Sequence, residues 1–153
     1  MTTHVNRFVV GPDAHNRSAV LHRGLASVRS GEGFWSATLW ATQESPVDNT
    51  IEGDRSQSLA LGTSLQPLPN GLICRALEIG PGAGFPMHHT DTLDCLTCVR
   101  GEIYLVTETD EAFMRPGDTV IIRGVNHAWS NRSDRPCLVV GTNTDATPLG
   151  QHR

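Results

Sequence analysis

The hydrophobic rhythm of this chain constrains its fold more than any other feature. Apolar residues do not recur at the spacing of three and four that marks an amphipathic helix. Short β-branched runs bounded by Gly, Pro, Asn or Asp recur instead, at 5–10, 18–22, 34–42, 72–79, 93–99, 102–107, 119–123, 126–130 and 137–142. Many short strands separated by frequent turn signals predict an all-β sandwich or barrel. A length of 153 residues is enough for one domain. The composition shifts near residue 70. Residues 71–147 hold most of the strand signal and form the expected barrel core. Residues 1–70 supply N-terminal strands and a polar, turn-rich connection over 43–70, with a short helix expected near 56–61. In the run 34–42, Trp35, Ala37, Leu39 and Ala41 share one face, while Phe34 and Trp40 share the other. Apolar residues on both faces predict a strand covered twice, either between sheets or at a subunit interface.

Composition narrows the chemistry. All 12 basic residues are arginine and the chain has no lysine, which excludes Schiff-base catalysis, a lysine base and a Walker-type phosphate loop. With 16 acidic residues the formal net charge is −4, so no electrostatic footprint for nucleic acid or an anionic membrane is present. No apolar stretch is long enough to span a bilayer as a helix. The N-terminal residues lack the apolar run of a signal peptide, and the expectation is a cytoplasmic protein with reduced thiols. No Gly-x-Ser-x-Gly elbow exists, and nucleophilic hydrolysis is not expected.

Three ionisable clusters fall in the strand-rich half: Gly82 to Asp94 with His88, His89, Thr90 and Asp91 inside it, Arg115 to Asp118, and Arg123 to Asn131 around His127. Strand alternation sorts them. Positions 88, 90 and 94 share a face, while 89 and 91 point the other way. The same parity turns Asp94, Leu96 and Cys98 inward, and His127 shares a face with Trp129. Cys95 and Cys98 form a C-x-x-C pair, but in a strand a spacing of three puts the thiols on opposite faces, which argues against a disulfide or a zinc knuckle. Cys74 and Cys137 read as core. Asp91 and Asp118 read as turn residues. Arg75, Arg100 and Arg123 lie in or beside strands, and any one of them could clamp a substrate carboxylate.

These clusters resemble the cupins, small β-barrels of the jelly-roll class. The first cupin motif is matched by Gly82, five residues, His88, then Thr90, three residues, Asp94, six residues and Gly101. The second half of the second motif is matched by Gly124, His127 and Asn131, with Pro116-Gly117-Asp118 as its entry turn. The resemblance covers about residues 71–142. It implies a single cupin barrel with additional N-terminal strands, and commonly a homodimer. It also implies one divalent transition metal (Fe, Mn, Zn, Ni or Co) on His88, Asp94 and His127, a two-histidine, one-carboxylate set with open positions. Thr90 stands where the motif has a histidine, and Asp94 where it has glutamate. Thr90, Trp129, Cys98 and Leu96 would face the substrate, with Phe85, Met87 and Leu96 as the apolar wall. The expected partner is a small molecule. The expected function is a metal-dependent lyase, decarboxylase, dehydratase or isomerase acting on a small oxygenated organic acid or aromatic ketone. A non-haem iron dioxygenase and a non-catalytic binding barrel are the alternatives. A metal-free His–Asp dyad is a further one, weakened by the lone Tyr104 lying outside the motifs.

Overall fold

The computed structural model describes residues 5–54, 56 and 66–150, and its elements are all strands. In chain order they are β1 (Asn6–Pro12), β2 (Ser18–Leu25), β3 (Val28–Gly31), β4 (Phe34–Thr42), β5 (Leu72–Ile79) and β6 (Gly84–His88). The rest are β7 (Thr92–Arg100), β8 (Ile103–Val106), β9 (Glu111–Met114), β10 (Thr119–Arg123), β11 (His127–Ser130) and β12 (Cys137–Asp145). The expected all-β class is the observed one. The helix expected near 56–61 lies, apart from Ser56, outside the described residues.

Two antiparallel sheets face each other. One has six strands in the order β10-β7-β12-β5-β4-β3 and the other four in the order β6-β11-β8-β9. Side chains from both meet in one apolar cluster, with Ile79, Leu96, Ile122 and Val139 from the larger sheet and Ile103 and Trp129 from the smaller. Period-2 alternation produces this packing. Along β7, Thr92, Asp94, Leu96 and Cys98 are buried while Leu93, Cys95 and Val99 are exposed. Burial of such a face is the main stabilising term of a two-sheet fold.

Residues before 70 are not a separate body. Strands β3 and β4 extend the larger sheet, with Trp40 paired to Cys74 and Thr42 to Leu72 after a register shift at Thr38/Trp40. The two apolar faces of the 34–42 run are both covered within one chain. Trp35 and Ala37 pack with Ala26 and Ala76 on the outside of the sheet, whereas Phe34, Ser36 and Thr38 line a cavity inside. Strands β1 and β2 form their own two-stranded ribbon.

The turn glycines of the matched motifs have a structural reason. Gly101 has φ +77° in the β7–β8 turn, and a Cβ there would lie 2.4 Å from the Pro136 carbonyl oxygen. Gly124, between β10 and β11, has φ +66°. Only glycine adopts such left-handed angles without strain.

Candidate functional site

A cavity of about 490 Å³ lies between the two sheets. Both sheets and the N-terminal strands contribute to its wall. Ile73 and Leu77 of β5, Phe85 of β6, Leu96 of β7 and Trp129 of β11 form apolar parts. His88, Thr90, Asp94 and His127 contribute polar groups, together with Arg75 and Asn143.

Strand pairing brings the two histidines together. His127 of β11 lies directly opposite His88 of β6, and their ring centroids are 4.4 Å apart at an interplanar angle of 54°. Each ring is anchored by its own turn. His88 Nδ1 lies 2.8 Å from the Pro86 carbonyl oxygen, and His127 Nδ1 lies 2.9 Å from that of Val125. A neutral ring that donates from Nδ1 carries its lone pair on Nε2. His127 is only 3% exposed. Burial pushes its pKa below the ordinary histidine value. The Val125 carbonyl and Asp94 oppose that shift, and nearby His88 and His89 add to it. His127 is therefore a neutral base at neutral pH.

Asp94 stands on the other sheet, paired in register with Asn143 of β12 and Ile122 of β10. It is 3% exposed, and its Oδ1 has no hydrogen-bond partner; the same holds for Oδ1 of Asn143, itself 8% exposed. Asn143 pairs in turn with Ile73, and Arg75 follows Ile73 on the same face of β5. Burial pushes the Arg75 pKa down while the Asp94 charge draws it up, so the two are coupled across the sheet.

The expected site residues are therefore distributed unevenly. His88, His127, Asp94, Thr90, Trp129 and Leu96 all line the cavity. Thr90 is buried, its Oγ1 2.6 Å from that of Thr92. Cys98 lies instead in the apolar core, its Sγ 3.8 Å from that of Cys137, and is not part of the cavity wall. Met87 is 44% exposed and lies outside the wall, whereas Phe85 belongs to it. His89 is exposed, as parity predicts. Of the three candidate arginines, Arg75 alone lines the cavity. Arg100 is ion-paired with Glu78, and Arg123 is exposed. Asn143, Arg29 and Thr38 also line the cavity without having been singled out in the sequence. Asn143 could have been found by carrying the β12 alternation of Val139 and Gly141 one step further.

No three His, Cys, Asp or Glu side chains among the described residues gather closely enough to hold a metal ion. The imidazole pair offers two nitrogens, Asp94 stands with Arg75 on the sheet facing the histidines, and Thr90 supplies no imidazole. As arranged, these residues do not fit a three-ligand metal centre.

Comparison with known proteins places this geometry. The family model described as "Cupin domain" matches residues 76–142. The chain is 37% identical over 137 residues to "Phomopsin biosynthesis cluster protein C'" of Diaporthe leptostromiformis, covering 84% of this chain and 71% of that protein. It is 27% identical over 148 residues to "Cupin-domain-containing oxidoreductase srdB" of Neurospora crassa, covering 94% of this chain and 74% of that one. Among solved structures, the Schizosaccharomyces pombe Cnp3 cupin domain aligns with a TM-score of 0.56 at 10% identity, over 95% of this chain and 89% of the other. That likeness concerns the fold alone.

Proposed function

This chain belongs to the cupin family, and from that premise we propose that its cavity is the active site of a small-molecule enzyme whose working group is the cross-strand pair of half-buried His88 and buried His127. The substrate is a small oxygenated organic acid or aromatic ketone, and the reaction is of the lyase, dehydratase or isomerase kind. His127 takes a proton from a carbon next to a carbonyl, using the lone pair on Nε2 while Nδ1–H stays on the Val125 carbonyl. The enolate so formed either expels a neighbouring leaving group or is reprotonated by the same imidazolium. Asp94, through its charge, steadies the imidazolium while it exists. The cavity wall of Phe85, Leu96 and Trp129 limits water around the reacting carbon.

The observation that carries this reading is the tautomer control of two cross-strand imidazoles, each committed at Nδ1 to a backbone carbonyl, in the wall of a cavity. The naming of one relative for a biosynthesis cluster and of another as an oxidoreductase supports small-molecule chemistry. Solvent deuterium wash-in, followed by NMR on a panel of small 2-oxo acids and aryl ketones, tests it. Wild-type protein should exchange the α-proton of at least one compound. His127→Asn should slow that exchange by about 10²- to 10⁴-fold with the fold intact. Exchange unchanged in His127→Asn would overturn the assignment. Elemental analysis of untagged protein addresses the metal-dependent version. Near one equivalent of transition metal, lost in both His88→Ala and His127→Ala, would replace the general-base reading with a metal-centred one.

A further inference from the structure

The reading above gives Asp94 an electrostatic role only and assigns no substrate contact to Asn143 or Arg75, and the three sit together. Asp94 and Asn143 are directly opposite each other on β7 and β12. Arg75 lies on β5, which pairs with the other side of β12. Each carries chemistry that a closed apolar cavity does not need. Asp94 Oδ1 and Asn143 Oδ1 are buried acceptors without a donor in the protein, and such atoms cost free energy until something donates to them. Arg75 is half-buried, and its guanidinium feels the charge of Asp94. Arg75 lines the cavity, and a guanidinium matches a carboxylate with two parallel N–H···O bonds.

Resting on the reading of this cavity as the substrate site, we infer that it selects a small carboxylic acid carrying a hydroxyl or amide N–H beside the carboxylate. Arg75 holds the carboxylate, and the orphaned oxygens of Asp94 and Asn143 accept from the neighbouring donor. The aromatic wall formed by Phe34, Phe85 and Trp129 takes the remainder of the molecule. A neutral ketone gains nothing from Arg75, and an acid without the adjacent donor leaves Asp94 Oδ1 unsatisfied.

Calorimetric titration at neutral pH with three isosteric probes tests this: 2-hydroxybenzoate, benzoate and 2-hydroxybenzamide. Wild-type protein should bind 2-hydroxybenzoate at least tenfold more tightly than the amide and several-fold more tightly than benzoate. Arg75→Lys keeps the charge but loses the planar fork, and should shrink the acid-over-amide preference while retaining its sign. The double variant Arg75→Met/Asp94→Asn removes both charges together, so neither is left alone, and should abolish the preference. Equal affinity of wild-type protein for acid and amide, an unchanged preference in Arg75→Lys, or no heat with either carboxylate would overturn the inference. Binding and turnover fail separately. Acid preference without any proton exchange would sink the proposed reaction and leave this selectivity standing, and exchange without acid preference would do the reverse.

Discussion

Glu78 is a fully buried carboxylate, at 0% exposure, and nothing in its sequence context marks it. It faces outward from β5, away from the cavity. One carboxylate oxygen accepts from Trp35 Nε1 at 2.9 Å, and the other is paired with Arg100. Arg100 thus neutralises a structural carboxylate, and the clamp expected among three arginines falls to Arg75 by position. This was not legible in the sequence, because it depends on which face of β5 the covering strands meet. His88 and His127 were legible, since motif spacing and strand parity both place them inward. An expected consequence at this scale concerns Arg100→Ala. A buried carboxylate stripped of its partner should cost about 3 kcal/mol. Replacing both partners, Glu78→Met with Arg100→Met, should return most of that loss. Urea denaturation of the three proteins checks the order. An Arg100→Ala midpoint equal to wild type would mean that Trp35 alone satisfies Glu78.

Among the elements, the strands that carried β-branched alternation were legible and the rest were not. Strand β6 contains Gly84 and Pro86, both strand-depleted, yet it holds His88 because it pairs with β11 on the exposed margin of the smaller sheet. Strand β9, Glu111–Met114, has no β-branched residue, and β3 has one apolar residue in four. Tertiary pairing, a non-local effect, makes all three. The β1–β2 ribbon poses the opposite problem. Its pattern was legible, yet Phe8, Val10, Val20 and Leu25 are 62%, 65%, 43% and 59% exposed. Phe8 faces Arg23, and Val10 faces Val20 across the ribbon. A two-stranded ribbon is marginal unless its apolar face is covered. The homodimer was expected partly from the two-sided 34–42 strand, but one chain covers that strand by itself. We propose the homodimer on the ribbon instead. A second copy would cover it, and the outer faces of β7 and β10, where Leu93, Val99 and Ile121 are 45%, 50% and 54% exposed, offer it an apolar seat. Light scattering should give twice the chain mass for wild type, and one chain mass for Phe8→Glu/Val10→Glu. A wild-type monomer at tens of micromolar would remove the proposal.

At the scale of the whole molecule, the N-terminal ribbon must be tied to the barrel and to the connection that follows β4; Val5 and Ala26 pack on the larger sheet, and Arg7 reaches both the sheet and the connection. Arg7 of β1 is 9% exposed. Its guanidinium donates to the Leu39 carbonyl oxygen at 3.1 Å and to Ser56 Oγ at 2.8 Å, and pairs with Asp54. Ser56 in turn donates to Asp54 from both its hydroxyl, at 2.6 Å, and its backbone N–H, at 2.9 Å. Residues far apart in sequence are thereby joined, which no local pattern could reveal. Burial pushes the Asp54 carboxyl up, but the hydrogen bonds from Arg7 and Ser56, together with the Arg7 charge, outweigh it and bring the pKa down from 3.8 to about 2. A pKa lower in the folded than in the unfolded chain means that the unfolded chain binds the proton more tightly. The ionised pair therefore stabilises the fold fully above about pH 4, and that contribution disappears as the pH falls towards 2. Because the Asp54 side chain is 31% exposed, solvent screening reduces the contribution to about 1 kcal/mol. Asp54→Asn should accordingly lower the melting temperature by roughly 3 °C at pH 7. The gap to wild type should close progressively between pH 4 and pH 2. Thermal melts across that range decide it. A gap that stays constant with pH would assign the loss to the altered turn around Ser56 rather than to the Arg7 ion pair.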